Sequence, residues 1–464
     1  MTSEPSWVRH AIWWQVYPLG FVGAEKAAGP ADTPIAHRLT RLVDWLDYAV
    51  ELGASGLALG PIFASETHGY DTTDYFRVDP RLGDDDDFHR LIDEAHRRGL
   101  RVLLDGVFNH TGRSFQQFQD AVRLGPSAPT AGWFRFHWPP DGGSSGEANS
   151  GNDSSGGEVA YDDFEGHHHL AALNHEEPEV ARFVADVMKH WLRRGADGWR
   201  LDAAYAVPSS FWSTVLSDVR AEFPDSYFVG EYIHGDYAAD VRAGRLDSTT
   251  QYQLWKAVWS SLNDANFFEL AAALDRHNSL LESFAPLTFV GNHDVTRLAT
   301  QLTDPALLAH ALVVLFTVGG TPSIYYGDEQ AFRGLKEDRT GGDDAVRPEF
   351  PSSPSALAAP GWPVHNLHQQ LIGLRRRHPW LHTARTKVHT LSNEHLVYEA
   401  GSGDESIIVA LNLSGLPATL GVPVTADVVL EGNAGLDASG RRLALPPRGW
   451  VVLGRGHSPR TSNK

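Results

Sequence analysis

The 464-residue chain contains no cysteine and only two methionines. That excludes a disulfide framework, a thiol nucleophile and any thiolate metal site, and nothing in the composition points to an oxidising compartment. Basic residues are also few, 39 Lys and Arg against 58 Asp and Glu, for a formal net charge of −19. Such a surface repels nucleic acid and anionic membranes and favours a neutral or cationic partner. No run is apolar enough to span a bilayer, and the opening MTSEPSWVRHAIWW lacks a basic segment followed by a long apolar one. The expectation is a cytoplasmic protein. No repeat of solenoid period is present either.

What is present is material for a large core: 42% hydrophobic residues, 10% aromatics and 14 tryptophans. Short apolar runs alternate with amphipathic helical patterns, as βα units around a parallel sheet do. Eight candidate strands follow one another: AIWWQVYP from Ala11, SGLALG from Ser55, RVLLD to Asp105, GWRLD to Asp202, YFVGE to Glu231, Thr249 to Leu254, PLTFVG from Pro286 and TPSIY from Thr321. Helical patterns such as HRLTRLVDWLDYAVEL and DDFHRLIDEAHRRG lie between them, the second closing at Gly99. The run Asp84 to Asp87 reads as the negative start of that helix. The predicted fold is a (β/α)8 (TIM) barrel formed by residues 1–109 and 174–382. A loop-rich insertion after the third strand, residues 110–173, carries the Gly/Ser-rich PPDGGSSGEANSGNDSSGG. Alternating HLVYEA, SIIVALNL and WVVLG predict a small antiparallel β-sandwich over 383–464.

Four predicted strands are apolar and then reach an acid: Asp105, Asp202, Glu231 and, in FVGNHD, Asp294. One such acid is most often an N-cap for the next helix. Four in barrel order is another matter, because all strand C-termini of a parallel barrel open on one face and the acids converge there. Arg200, two residues before Asp202, projects to the same side and can hold that carboxylate charged. His110, after Asn109, and His293 border the same mouth, whereas His167 to His169 lie in the polar insertion and read as surface residues.

DGVFNHTG, GWRLDAAYA, VGEYI and FVGNHDVTR, in this order, resemble the four signature segments of the α-amylase family of glycoside hydrolases. WWQVYP, HGYDTTDYF, LAALNHEEPEV and TPSIYYGDE resemble its supporting segments, so the likeness covers nearly the whole chain. It implies a retaining enzyme of α-glucosidic bonds in short maltooligosaccharides. Asp202 would be the nucleophile, Glu231 the general acid/base and Asp294 the third essential carboxylate, stabilising an oxocarbenium-like transition state. By the same resemblance Tyr70 stacks on the sugar, His110 and His293 hold its hydroxyls, and His68, Arg200 and Arg297 touch it or its carboxylates. Asp105 and Asn109 support the network. No tryptophan is assigned to a subsite.

Calcium-dependent relatives carry Lys and His shortly after the nucleophile, where this chain has Asp202-Ala203-Ala204-Tyr205-Ala206. Asn109 matches one ligand position, but one Asn is not an oxygen cage. The expectation is no cofactor, with calcium excluded from the usual site of the family. The small Ala203 resembles relatives selective for α-1,4 over α-1,6 linkages. Transglycosylation uses the same intermediate and stays open as an alternative; a non-catalytic carbohydrate- or partner-binding relative is the remote one, since all three acids are present. The partner is a small oligosaccharide, and oligomeric state is not legible.

Overall fold

A computed structural model describes residues 4–30, 32–138, 159–339, 341–423 and 428–454. Eight parallel strands form the centre: β1 (Trp13–Val16), β2 (Gly56–Leu59), β3 (Arg101–Gly106), β4 (Gly198–Leu201), β5 (Tyr227–Gly230), β6 (Ser248–Thr249), β7 (Leu287–Phe289) and β8 (Thr321–Tyr325). Each pairs with its neighbours in sequence, β1 also with β8, and a single parallel bridge, Thr250 to Leu287, joins β6 to β7. The strands are buried on both faces, which is why they read as unbroken apolar runs. Val8, Trp13, Leu103, Tyr227, Val229 and Phe289 fill the interior, and the residues before β1 cover one end, with Trp7 against Trp13 and Tyr227 at 6.0 Å each.

Helices surround this sheet. The helix Asp85–Arg97 begins where Asp84 accepts from the amides of Asp86 and Asp87, and the chain leaves it through Gly99 at φ +77°. Thus the acidic run is a cap, and His37, Asp84 and Asp87 gather around it. The pattern HRLTRLVDWLDYAVEL forms two helices, Leu39–Val43 and Leu46–Leu52. The sixth strand is shorter than expected: Thr250 and Gln251 leave the sheet, Gln251 accepts from Leu254 N, and Tyr252 to Leu254 belong to the helix Tyr252–Asn263.

Between β3 and β4, the segments His110–Gly112, His167–Ala172 and Asp163–Phe164 form a small sheet beside the helix Gln116–Leu124, so the described part of the insertion has more regular structure than its composition suggests. Its Gly/Ser-rich stretch, from Pro139 to Gly157, lies outside the described residues. After the helix Trp362–Arg377, a five-stranded antiparallel sheet runs in the spatial order 385–391, 395–402, 405–412, 450–454, 428–432. One of its faces (Val397, Ile408, Ala410) packs on a second, three-stranded sheet through Leu443 and Leu445; the other (Leu396, Tyr398, Val409) joins the barrel's own core. No helix of the described residues is long and apolar enough to cross a membrane.

Candidate active site

Each acid sits where its strand stops. Asp105 ends the run of β3, Asp202 follows β4, Glu231 follows β5, and Asp294 lies beyond β7. Register aligns them: Arg200 pairs with Asp105 and Val229, Leu201 with Gly106 and Gly230. Asp202 N donates to Gly106 O at 3.0 Å and Glu231 N to Leu201 O at 2.9 Å, which continues the ladder beyond the last strand residues. The strand ends therefore place three carboxyls on one guanidinium. Arg200 Nη1 lies 2.7 and 2.6 Å from the two oxygens of Asp105 and 3.3 Å from Asp202 Oδ1, while Nη2 lies 2.7 Å from Glu231 Oε1. Asp202 and Glu231 keep 7% and 8% exposure, so neither carboxyl is sealed from solvent.

Arg200 is shared among the three: its shortest contacts are to Asp105 and Glu231, and burial, then Glu231, push Asp202 up while the guanidinium, as its alignment with Asp202 implies, acts to lower it. Asp105, fully covered, is likewise raised by burial against the pull of Arg200. Glu231 accepts from two further donors, Tyr252 Oη on Oε1 and the Ala203 amide on Oε2, both at 3.0 Å. Ala203 reaches that oxygen from the left-handed region, φ 44° and ψ 37°, a conformation that costs energy for any residue with a Cβ.

Asp294 is arranged differently. Its amide donates to Asn292 Oδ1 at 2.8 Å, Arg347 Nη2 meets Oδ1 at 2.7 Å, and His293 Nε2 meets Oδ2 at 2.9 Å. Burial works to raise it, but His293, then Arg347 and Arg200, outweigh burial and hold this carboxyl well below its ordinary value. Gln15 Nε2 lies 3.2 Å from His293 Nδ1 and holds the ring from its other side. Tyr70 lies parallel to His293, rings 5.4 Å apart and 2° from coplanar, its hydroxyl against the same Nε2 and 3.2 Å from Asp105.

His110 is buried, and both ring nitrogens are engaged, Nε2 on Tyr70 O at 3.0 Å and Nδ1 by Asn109 Nδ2 at 3.1 Å, with Phe164 stacked on its face at 4.7 Å. Burial pushes it down to about 3, so it stays neutral. The ring thus supports Tyr70 from below. His68 accepts from Tyr70 N at 3.2 Å, and burial lowers it too. His167 to His169 are exposed, with His169 facing His68 across 6.4 Å.

Arg297 is not in the cleft. It is fully buried under Tyr325 and Tyr326, where it pairs with Asp328 at 2.9 Å and donates to the carbonyls of Tyr326 and Val346. A buried carboxylate at Asp328 needs a cation, and Arg297 supplies it. The cation that meets Asp294 is Arg347, from the irregular loop after β8; its guanidinium also lies 4.9 Å over the Tyr17 ring. Arg347 had no pattern to reveal it beyond an acid four residues earlier. Gln15, Tyr17 and Asn292 could have been found from strand alternation next to the motifs, and Tyr252 from its nearness to the end of β6.

A cavity of about 510 Å³ lies beside Asn109. It is lined by Arg135, Asp162, Asp163, Glu165, His175 and, four residues after the nucleophile, Ala206. Asp162 is paired with His137 at 2.8 Å, Asp163 accepts from Gly166 N at 2.9 Å and pairs with His168, and the Arg135 guanidinium brings its own charge. A hard cation needs free oxygens in a closed shell, which this donor set does not offer.

Comparison with known proteins agrees with the geometry. Residues 15–386 match the family model for the α-amylase catalytic domain. A cyclomaltodextrinase of Geobacillus thermopakistaniensis is 30% identical over 97% of this chain and 78% of its own length. An intracellular maltogenic amylase of Bacillus subtilis is 31% identical over 72% of this chain, a match that spans 57% of that enzyme. Among solved structures, the Nostoc punctiforme debranching enzyme superposes with a TM-score of 0.81 at 26% identity, over 97% of this chain and 99% of that one. Eight barrel strands, four of them leading to acids, a cation-bridged carboxyl cluster and a family match over most of the chain lead to one conclusion: this chain belongs to the α-amylase family of glycoside hydrolases and is an enzyme of that family.

Proposed function

We propose that the chain cleaves α-1,4 bonds of short maltooligosaccharides with retention, in the cytoplasm, and without a metal ion. The observation that carries this reading is Arg200 with Asp202 and Glu231 on its two terminal nitrogens at the barrel mouth. Asp202 attacks the anomeric carbon as the glycosidic C–O bond breaks, and the proton of Glu231 passes to the departing oxygen. A water then gives its proton to Glu231 while its oxygen displaces Asp202 from the same carbon, which restores both carboxyls. Asp294, held anionic by His293 and Arg347, stabilises the positive charge that develops on the ring. Tyr70 and His68 would form the wall for that sugar, with His110 and His293 fixing Tyr70 and Asp294. Ala203, directly after the nucleophile, supports the linkage, and the maltogenic and maltodextrin-acting names of two relatives support the substrate class.

Pure protein incubated with maltotriose should release glucose and maltose. Longer oligosaccharides in the chromatogram would mean that transfer competes with water, and no product from any α-glucoside would end the catalytic reading. Glu231→Gln should lose nearly all activity on unactivated glycosides. EDTA should leave both turnover and melting temperature unchanged; a drop in either would restore a structural cation.

A further inference from the structure

Tyr252 opens the helix Tyr252–Asn263 directly after the two-residue strand β6. Its hydroxyl donates to Glu231 Oε1 at 3.0 Å and accepts from Asn292 Nδ2 at 2.9 Å, and Asn292 Oδ1 accepts from Asp294 N at 2.8 Å. One chain of hydrogen bonds thus runs from the backbone of Asp294 to Glu231. The tyrosine ring is fixed edge-on against Phe289 at 4.9 Å and Trp255 at 5.9 Å. Behind it, Thr250 Oγ1 accepts from Tyr232 N at 3.0 Å and donates to Tyr232 O at 3.2 Å, which ties the loop after β6 to the residue after Glu231.

Glu231 is faced by Arg200 and Asp202 from β4 and its end, by Asp105 from β3 and by Tyr205 beyond β4, and Tyr252 is faced by both Glu231 and Asp294. Arg200 is shared among three carboxyls, and Ala203 offers only a backbone amide. Among the described residues, Tyr252 is the side chain whose hydrogen bonds reach Glu231 and no other carboxylate. We propose that Tyr252 is a positioning residue for proton transfer. Oriented by Asn292, its hydroxyl sets the plane of the Glu231 carboxyl so that the proton meets the departing glycosidic oxygen, and it couples that plane to the loop of Asp294.

The proposal rests on Glu231 being the acid/base, and a pair of donors with different leaving groups separates the two ideas. Maltotriose needs its leaving oxygen protonated, whereas fluoride departs from α-glucosyl fluoride with little help. Tyr252→Phe keeps the ring packing and removes the hydroxyl. A hydrogen bond to a charged group is worth enough that kcat/KM for maltotriose should fall about ten- to a hundredfold, through kcat, while that for α-glucosyl fluoride falls less than about threefold. Equal losses on both donors, a loss through KM alone, or no loss would overturn it. If Tyr252→Phe melts early, Asn292→Asp serves instead: it still accepts from Asp294 N but competes with Glu231 for the Tyr252 proton, and the same selective loss is expected. Wild-type protein inactive on both donors would remove the functional reading and this one together.

Discussion

Glu329, on the loop after β8, is buried with a tyrosine hydroxyl and a backbone amide as its donors, Tyr48 at 3.0 Å and Gly327 N at 2.9 Å. Its neighbour Asp328 has Arg297; Glu329 has no such cation in its hydrogen bonds, and burial pushes it up to about 7. A carboxyl raised from 4.5 in the unfolded chain to about 7 in the folded one contributes most stability below 4.5 and loses it as pH rises toward 7. Relative to Glu329→Gln, the wild type should therefore lose about 3 kcal/mol between those limits and nothing further above them. Thermal melts of both proteins across pH 4 to 8 measure this; a gap that does not change with pH would show that Glu329 does not titrate there. At this scale the sequence was legible where an acid closed an apolar strand, as at Asp202 and Glu231, because period and chemistry coincide there. Arg297 was misread because the motif fixes its position but not the direction of its side chain, and the demand of Asp328 for a cation comes from a segment 31 residues later.

At the scale of elements, the helix Leu308–Thr317 ends against a side chain from another helix. Arg375 is buried and donates to the carbonyls of Phe316, Val318 and Gly320, with no carboxylate among its hydrogen bonds. Burial lowers its guanidinium to about 9, and what keeps it charged is the cluster of carbonyl dipoles at a helix C-terminus. Arg375→Ala leaves those acceptors buried without donors and should cost about 2–4 kcal/mol, read as a lower denaturant midpoint at unchanged slope. An effect below about 0.5 kcal/mol would mean that water replaces the guanidinium. The helix Trp362–Arg377 itself was readable from HNLHQQLIGLRRR, whereas the break of the sixth strand was not. TTQYQL suits either state by pattern, and the choice is made by the Thr250 contacts to Tyr232 and by the Gln251 cap.

For the molecule as a whole, the five-stranded C-terminal sheet divides its side chains between two cores. Tyr398 Oη and Thr317 Oγ1 share a hydrogen bond of 2.6 Å, His310 Nε2 lies 3.3 Å from Asn412 O, and Leu396, Val409 and Val452 extend the barrel's apolar core. Strand alternation predicted a sheet but not its docking, since both faces are apolar and the sequence does not name the second partner. Because one core spans both parts, calorimetry should record a single endotherm. Two resolved transitions would show that the sheet and the barrel unfold independently.

The residues before β1 make their contacts with segments far downstream. Trp7 Nε1 donates to Asp225 O, Glu4 pairs with His382, and β1 aligns Trp13 with Ser323. During synthesis the start of the chain emerges long before these partners exist, so β1 has only β2 to pair with until residue 325 has left the ribosome. Nascent chains stalled short of that length therefore expose Trp13 and Trp14, two large apolar side chains that the finished protein covers completely. The order in which a cell makes this barrel leaves one edge of its first strand unpaired until the last barrel strand is made.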